Sequence, residues 1–179
     1  SFPFLDQLVP TYYVLTTAEA SSNLARFDGV HYGYRSKEIS NLEETYTKSR
    51  TEGFGKEVQR RIMLGTFVLS AGYHDAYFTK AQQIRRIIQD TTNEILKDFD
   101  FILTPTTPHT AFDLGQKHKD PTVMYLEDIF TVQANLSGHP AISLPLFKHS
   151  NGMPFALQLL AKNFEEQKLL SFSNYLMEL

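Results

Sequence analysis

Apolar positions along this chain recur first at helical and then at strand spacing. The stretch from Thr17 to Arg26 is the first helical signal: Thr17 is a capping residue type, Glu19 falls in the first turn, and Asp28-Gly29 ends the run. Residues 30–41 mix Gly33 with aromatic, histidine and polar side chains and read as a loop. Leu42 to Glu52 predicts a polar helix, and Gly53-Phe54-Gly55 separates it from an apolar one over Lys56 to Leu69. Past Gly72, Asp75 to Lys97 is the longest helical pattern, with Ile84, Ile87, Ile88, Ile95 and Leu96 spaced to line one face.

Beyond Lys97 the apolar runs become short. Phe99 to Thr104 (closed by Pro105), Ala141 to Phe147, and Phe155 to Ala161 predict three strands of a largely buried sheet. Between the first two, Asp120-Pro121 is a cap followed by proline at the first helical position, and opens a helix through about Leu136. Ser150-Asn151-Gly152 carries hairpin-turn chemistry, and a last helix starts near Glu165. The predicted class is α/β with a helix-rich first half. With 179 residues, 42% of them hydrophobic, the chain can bury one sizeable core, so residues 1–179 are expected to be a single domain.

Composition narrows the chemistry. The absence of cysteine excludes a disulfide framework, a thiol nucleophile and a zinc-cysteine site, and favours a cytoplasmic setting. The formal charge of −3 is dispersed, and basic pairs such as Arg60-Arg61 and Arg85-Arg86 form no stripe that would track phosphates, so direct nucleic-acid binding is not indicated. No apolar run approaches the roughly 20 residues of a membrane span, and no segment has the pattern of a signal peptide. The apolar opening, Ser1 to Leu5, and the apolar close, Asn174 to Leu179, give both ends the look of cuts in something longer. Histidines 31, 74, 109, 118, 139 and 149 show no ligand spacing, which argues against a metal site. No nucleophile elbow, Walker loop or dinucleotide fingerprint occurs.

Two charged residues sit on otherwise apolar helix faces. Phe54, Val58, Ile62, Gly65 and Leu69 share a face of the Lys56–Leu69 helix, and Arg61 lies on it. A core-facing guanidinium requires a partner, which is either a structural carboxylate or a ligand carboxylate gripped through two hydrogen bonds. Asp128, with Thr131 and Asn135, forms a polar line flanked by Tyr125, Ile129, Val132 and Leu136. It caps the second half of a kinked helix, or it turns into a cleft to receive an ammonium group.

The blocks Tyr12-Tyr13-Val14-Leu15, Glu19-Ala20-Ser21-Ser22-Asn23-Leu24-Ala25-Arg26-Phe27-Asp28-Gly29 and Gly53-Phe54-Gly55 are followed by Glu57-Val58-Gln59-Arg60-Arg61-Ile62-Met63-Leu64-Gly65-Thr66. Then come Tyr73-His74-Asp75-Ala76-Tyr77, Leu103-Thr104-Pro105-Thr106, Asp120-Pro121, Met124-Tyr125-Leu126-Glu127-Asp128 and Ala134-Asn135-Leu136-Ser137-Gly138-His139-Pro140-Ala141-Ile142-Ser143. In this order they resemble the C-terminal part of the amidase-signature family, and within it the A-subunit branch of the tRNA-dependent amidotransferases.

The resemblance implies a mixed sheet covered by helices and a catalytic lysine and two serines, of which one serine attacks the side-chain amide of glutamine to give an acyl-enzyme and ammonia. It implies as partners a B subunit, which uses ATP and Mg to activate glutamate on Glu-tRNA(Gln), and a bracing C subunit. The cofactors belong to that complex, with none in this chain. No segment here matches the family's Gly/Ser-rich stretch or its lysine, and Ser21-Ser22 belongs to a different block. By itself the chain is therefore expected to be inactive. By the same resemblance Tyr12 lines the glutamine pocket, with Tyr13 as its one-residue alternative; Arg61, with Arg60 as alternative, grips the α-carboxylate; and Asp128 takes the α-ammonium. His139 stands where an apolar residue is more usual and reads as structural.

Other readings predict other features. A different amidase-signature hydrolase, acting on fatty-acid, peptide or small amides, calls for an apolar acyl channel. A non-catalytic binding or scaffold module calls for none of this chemistry. Exposed strand edges and apolar faces would invite self-association.

Overall fold

The computed structural model describes residues 2–115 and 121–179. In chain order the elements are α1 (Leu5–Leu24), α2 (Leu42–Gly53), α3 (Lys56–Leu69), a π-helical turn (Asp75–Thr79), α4 (Lys80–Asp98), β1 (Phe101–Pro105), α5 (Pro121–Leu126), α6 (Val132–Ser137), β2 (Ala141–Lys148), β3 (Pro154–Ala161) and α7 (Glu166–Met177). The architecture is mixed α/β and helix-rich in its first half. The chain divides into two compact units, residues 13–82 and residues 1–12 with 83–179.

Helix formation begins earlier than the Thr17 signal predicts, because α1 already starts at Leu5; from Tyr13 on it belongs to the unit of residues 13–82. Thr17 is no cap: its hydroxyl folds back on the Tyr13 carbonyl at 2.6 Å, a bond that a threonine inside a helix makes one turn upstream. Pro10 lies within the helix and forgoes the bond that an N–H there would give the Asp6 carbonyl. Between α1 and α3 the backbones touch. A Cβ on Gly65 would lie 1.9 Å from the Thr17 carbonyl oxygen, so only glycine permits the approach. The Ser21 and Thr66 hydroxyls bond across the same contact at 3.0 Å.

Helix α2 is polar because it organises the loop before it. Asn41 caps it by accepting from the Glu44 N–H at 2.9 Å. The Arg50 guanidinium donates to the Leu24 carbonyl at 2.8 Å and the Phe27 carbonyl at 3.1 Å, satisfying the open end of α1. Ser49 Oγ accepts from the Ser36 N–H at 3.0 Å, and Glu52 accepts from the Tyr34 and Ser36 hydroxyls. Gly29 has φ of 78° and is packed so that a Cβ would collide with Ser49. Gln59 closes the α2–α3 turn by donating to the Phe54 carbonyl at 2.7 Å.

In the other unit, β3 is the central strand of a three-stranded antiparallel sheet ordered β1-β3-β2. Leu144, Leu159 and Ala161 pack with Leu169 of α7, joined by Phe172 and Leu176, and Phe101 stacks on Phe172 at 4.7 Å. The sheet is not largely buried: Leu103 and Phe147 are about half exposed. The alternation explains the difference, since Ile142, Leu144 and Leu146 turn toward α7 while Ser143, Pro145 and Phe147 turn away, as in antiparallel sheets covered on one face. The turn after β2 is a hairpin, with the His149 N–H on the Met153 carbonyl at 2.9 Å and Gly152 at φ 82°.

The helix expected from Asp120 to Leu136 is two short helices, α5 and α6, joined by turns over residues 127–131; Asp120 itself lies outside the described residues. Much of what fixes the second piece comes from a polar stripe on α4. Arg85 donates to the Leu136 carbonyl at 3.1 Å, Gln89 to the Ser137 carbonyl at 3.0 Å, and Asn93 bonds His139 Nε2 at 3.1 Å. From α6, Gln133 donates to Thr92 at 3.2 Å. These four α4 positions fall on one helical face. Gly138, left-handed at φ 79°, terminates α6.

Candidate functional site

Arg61 is set on the first half of α3 by an N-terminus at Gly55 and by the Gly65 contact, which anchors the same helix. Its side chain is about one-third exposed. The guanidinium lies 5.3 Å from the centre of the Tyr13 ring and donates through Nε to Glu57 Oε1 at 3.2 Å. Burial alone would lower its pKa; the Glu57 carboxylate and the Tyr13 phenol, each by hydrogen bonding and charge interaction, outweigh that and raise it. The structural-carboxylate reading of Arg61 is thus met in part. Yet the i,i+4 pair is half-exposed, and such pairs contribute only about 0.3–0.5 kcal/mol, too little to account for the placement.

Arg60 is the more exposed of the two arginines, and its Nη1 also bonds Glu57. Glu57 is a companion of Arg61 that the pattern of apolar faces does not single out. A signal for it exists in the chain, because a glutamate four residues before an arginine on one helix face is a standard ion-pair spacing.

Tyr12 and Asp128 belong to the other unit. Tyr12 is partly buried on α1. Asp128 stands in the turn between α5 and α6 with an exposed side chain. It is not the cap of the second helix: that position is Thr131. Instead the Asp128 backbone carbonyl accepts from the Thr131 N–H at 3.0 Å, the Val132 N–H at 3.1 Å and the Thr131 hydroxyl at 3.1 Å. The turn is pinned at both flanks, by His109 on Glu127 at 2.8 Å and by Gln158 of β3 donating to the Phe130 carbonyl at 2.9 Å. His139 is buried, and burial lowers its pKa; it holds Asn93 through Nε2, in keeping with a structural role.

A concavity of about 460 Å³ in the same unit is lined by Pro105, Pro108, His109, His149, Phe155 and Leu157 among others. None of Tyr12, Arg61 or Asp128 lines it, and its apolar wall offers no pair of opposite charges for an amino acid. Among the described residues no three acidic or histidine side chains converge as metal ligands.

The comparisons with known proteins agree across nearly the whole chain. A family model described as Amidase matches residues 1–170. The A subunit of the glutamyl-tRNA(Gln) amidotransferase of Pelagibacter ubique is 54% identical over 178 residues, 99% of this chain and 36% of that protein. That of Brevibacillus brevis is 55% identical over 170 residues, 95% of this chain and 35% of that protein. The chain thus spans about a third of the length of the curated relatives it matches. The crystal structure of the corresponding protein from Thermotoga maritima superposes with a TM-score of 0.64 at 46% identity, over 93% of this chain and 31% of that one. An amidase crystal structure reaches 0.71 at 23% identity, over 98% and 36%, and bears on the fold alone. On a family match that extends from the first residue to within the last helix, the chain belongs to the amidase family, the amidase-signature enzymes.

Proposed function

We propose that this chain is the amino-acid-binding portion of a glutamine amidase that supplies ammonia to a tRNA-dependent amidotransferase. The observation that carries the reading is Arg61: a part-buried guanidinium within 5.3 Å of the Tyr13 ring centre, ionised, and in a chain 54% identical to an amidotransferase A subunit. A free amino acid presents one planar anion and one cation. In this reading Arg61 binds the α-carboxylate through paired hydrogen bonds, Asp128 receives the α-ammonium, and Tyr12 contributes to the pocket wall. The deeper burial of Arg61, against the more exposed Arg60, favours Arg61 for the carboxylate.

The amide-cleaving lysine and serines of the family match no segment of this sequence, so on this proposal the chain binds and the rest of the domain cleaves. Released ammonia passes to a B subunit that consumes ATP with Mg and acts on Glu-tRNA(Gln), a C subunit bracing the assembly, in the cytoplasm. No helix among the described residues is long and apolar enough to cross a membrane.

The test is ammonia release by a complete amidase domain containing this segment, with glutamine set against a simple aliphatic primary amide of the same length. The proposal requires a preference for glutamine in kcat/KM of about a hundredfold or more, the worth of two charge-assisted contacts. Preference for the aliphatic amide would transfer the chain to the branch that hydrolyses fatty or small amides.

A further inference from the structure

Glu57 lies between two arginines. It accepts from Arg61 Nε at 3.2 Å and from Arg60 Nη1, one helical turn and just under one turn away. Three charged groups on one face of α3 thus carry two positive charges and one negative. Both arginines contact the one carboxylate, Arg60 from the more exposed side, so the trio keeps a net positive charge. The geometry also restricts which edge of the guanidinium is offered. A planar guanidinium can clasp a carboxylate through Nε with one terminal nitrogen, or through the two terminal nitrogens. With Nε held by Glu57 the first mode is occupied, and Tyr13 lies beside the guanidinium as a second neighbour, its ring centre 5.3 Å away.

We propose that Glu57 is a positioning residue for the amino-acid carboxylate: it holds Arg61 so that the ligand is gripped end-on by Nη1 and Nη2, while Arg60 shares the Glu57 carboxylate. This rests on the reading of Arg61 as the carboxylate-binding group. A long arginine left to rotate would lose orientation before it lost charge, and a misplacement of about 1 Å at a binding group costs up to about a hundredfold.

The experiment measures ammonia release by the complete amidase domain with two substrates, glutamine and its α-carboxamide, which lacks the anion. Glu57→Ala is expected to raise KM for glutamine about tenfold, hold kcat within about twofold and leave KM for the α-carboxamide unchanged. In an Arg61→Ala background the same change is expected to do nothing further, and Glu57→Gln, which keeps an acceptor oxygen, to recover most of the loss. Should Glu57→Ala melt at assay temperature, Glu57→Gln carries the test with a smaller shift of the same kind. A rise in KM for both substrates alike, or an undiminished effect without Arg61, overturns the positioning role. If Arg61→Ala itself leaves the discrimination between the substrates intact, the carboxylate reading falls as well; if Arg61→Ala abolishes it and Glu57→Ala does not touch it, only the present inference falls.

Discussion

Two regions of this molecule are held in place by different forces. The layer of β1, β2 and β3 against α7 is apolar: Leu144, Leu159, Ala161 and Leu169 are almost fully excluded from water. The loop over residues 25–41 is the reverse. Phe27, Tyr32 and Tyr34 remain exposed, and its path is set by donors and acceptors on α2, chiefly Ser49, Arg50 and Glu52. Burial scales with area and fails cooperatively, whereas a wired loop loses one bond at a time. The candidate site residues follow the second pattern. Arg61 is held by Glu57 of its own helix, and the turn carrying Asp128 by His109 and by Gln158 of β3, so they can be loosened without unfolding the core.

The largest effect should come from breaking the apolar layer. Leu159→Ala removes a side chain that is 1% exposed and is expected to destabilise its unit by about 3–4 kcal/mol, seen as a lowered midpoint in urea unfolding. Gly65→Ala comes next. Its methyl would meet the Thr17 carbonyl, and the helices must separate at a cost of about 1–3 kcal/mol in the same assay. Arg50→Ala sharpens the contrast: amides of the 25–41 loop should exchange with solvent faster by a local loss of about 1–2 kcal/mol, while sheet amides keep their protection.

The smallest effect is a pH dependence. His139 is buried with Nδ1 lacking a hydrogen-bond partner among the described residues, and burial lowers its pKa in the folded state. The unfolded chain therefore takes up the proton first. Stability is full above the ordinary pKa of 6.5 and falls as pH drops below it toward the lower folded value, by at most about 1.4 kcal/mol per pH unit. His139→Asn should flatten that slope, measured as unfolding free energy between pH 7 and 5.

The contrast also explains what could be read from the chain. The bounds of α3, the hairpin at Ser150-Asn151-Gly152 and the last helix follow from period and turn residues, and the structure reproduces them closely. Period carries no information about partners. Arg85, Gln89, Thr92 and Asn93 look like a solvated stripe until α6 is seen to terminate on them, and the break at residues 127–131 is held by His109 and by Gln158 of β3, which lie far from it in the chain. Thr17 misleads because a residue type that caps helices also bonds within them. Arg61 and Asp128 stand out by charge on apolar faces, whereas Glu57 has only its spacing to Arg61 in the chain and gains its meaning from the distances.

Amino-acid binding by Arg61 and Asp128 is tested by a calorimetric titration of glutamine into the complete amidase domain and into its Arg61→Ala and Asp128→Ala variants. Each substitution is expected to weaken binding about ten- to hundredfold while the thermal midpoint stays close to that of the parent domain. Unchanged glutamine affinity in both variants would contradict that binding role.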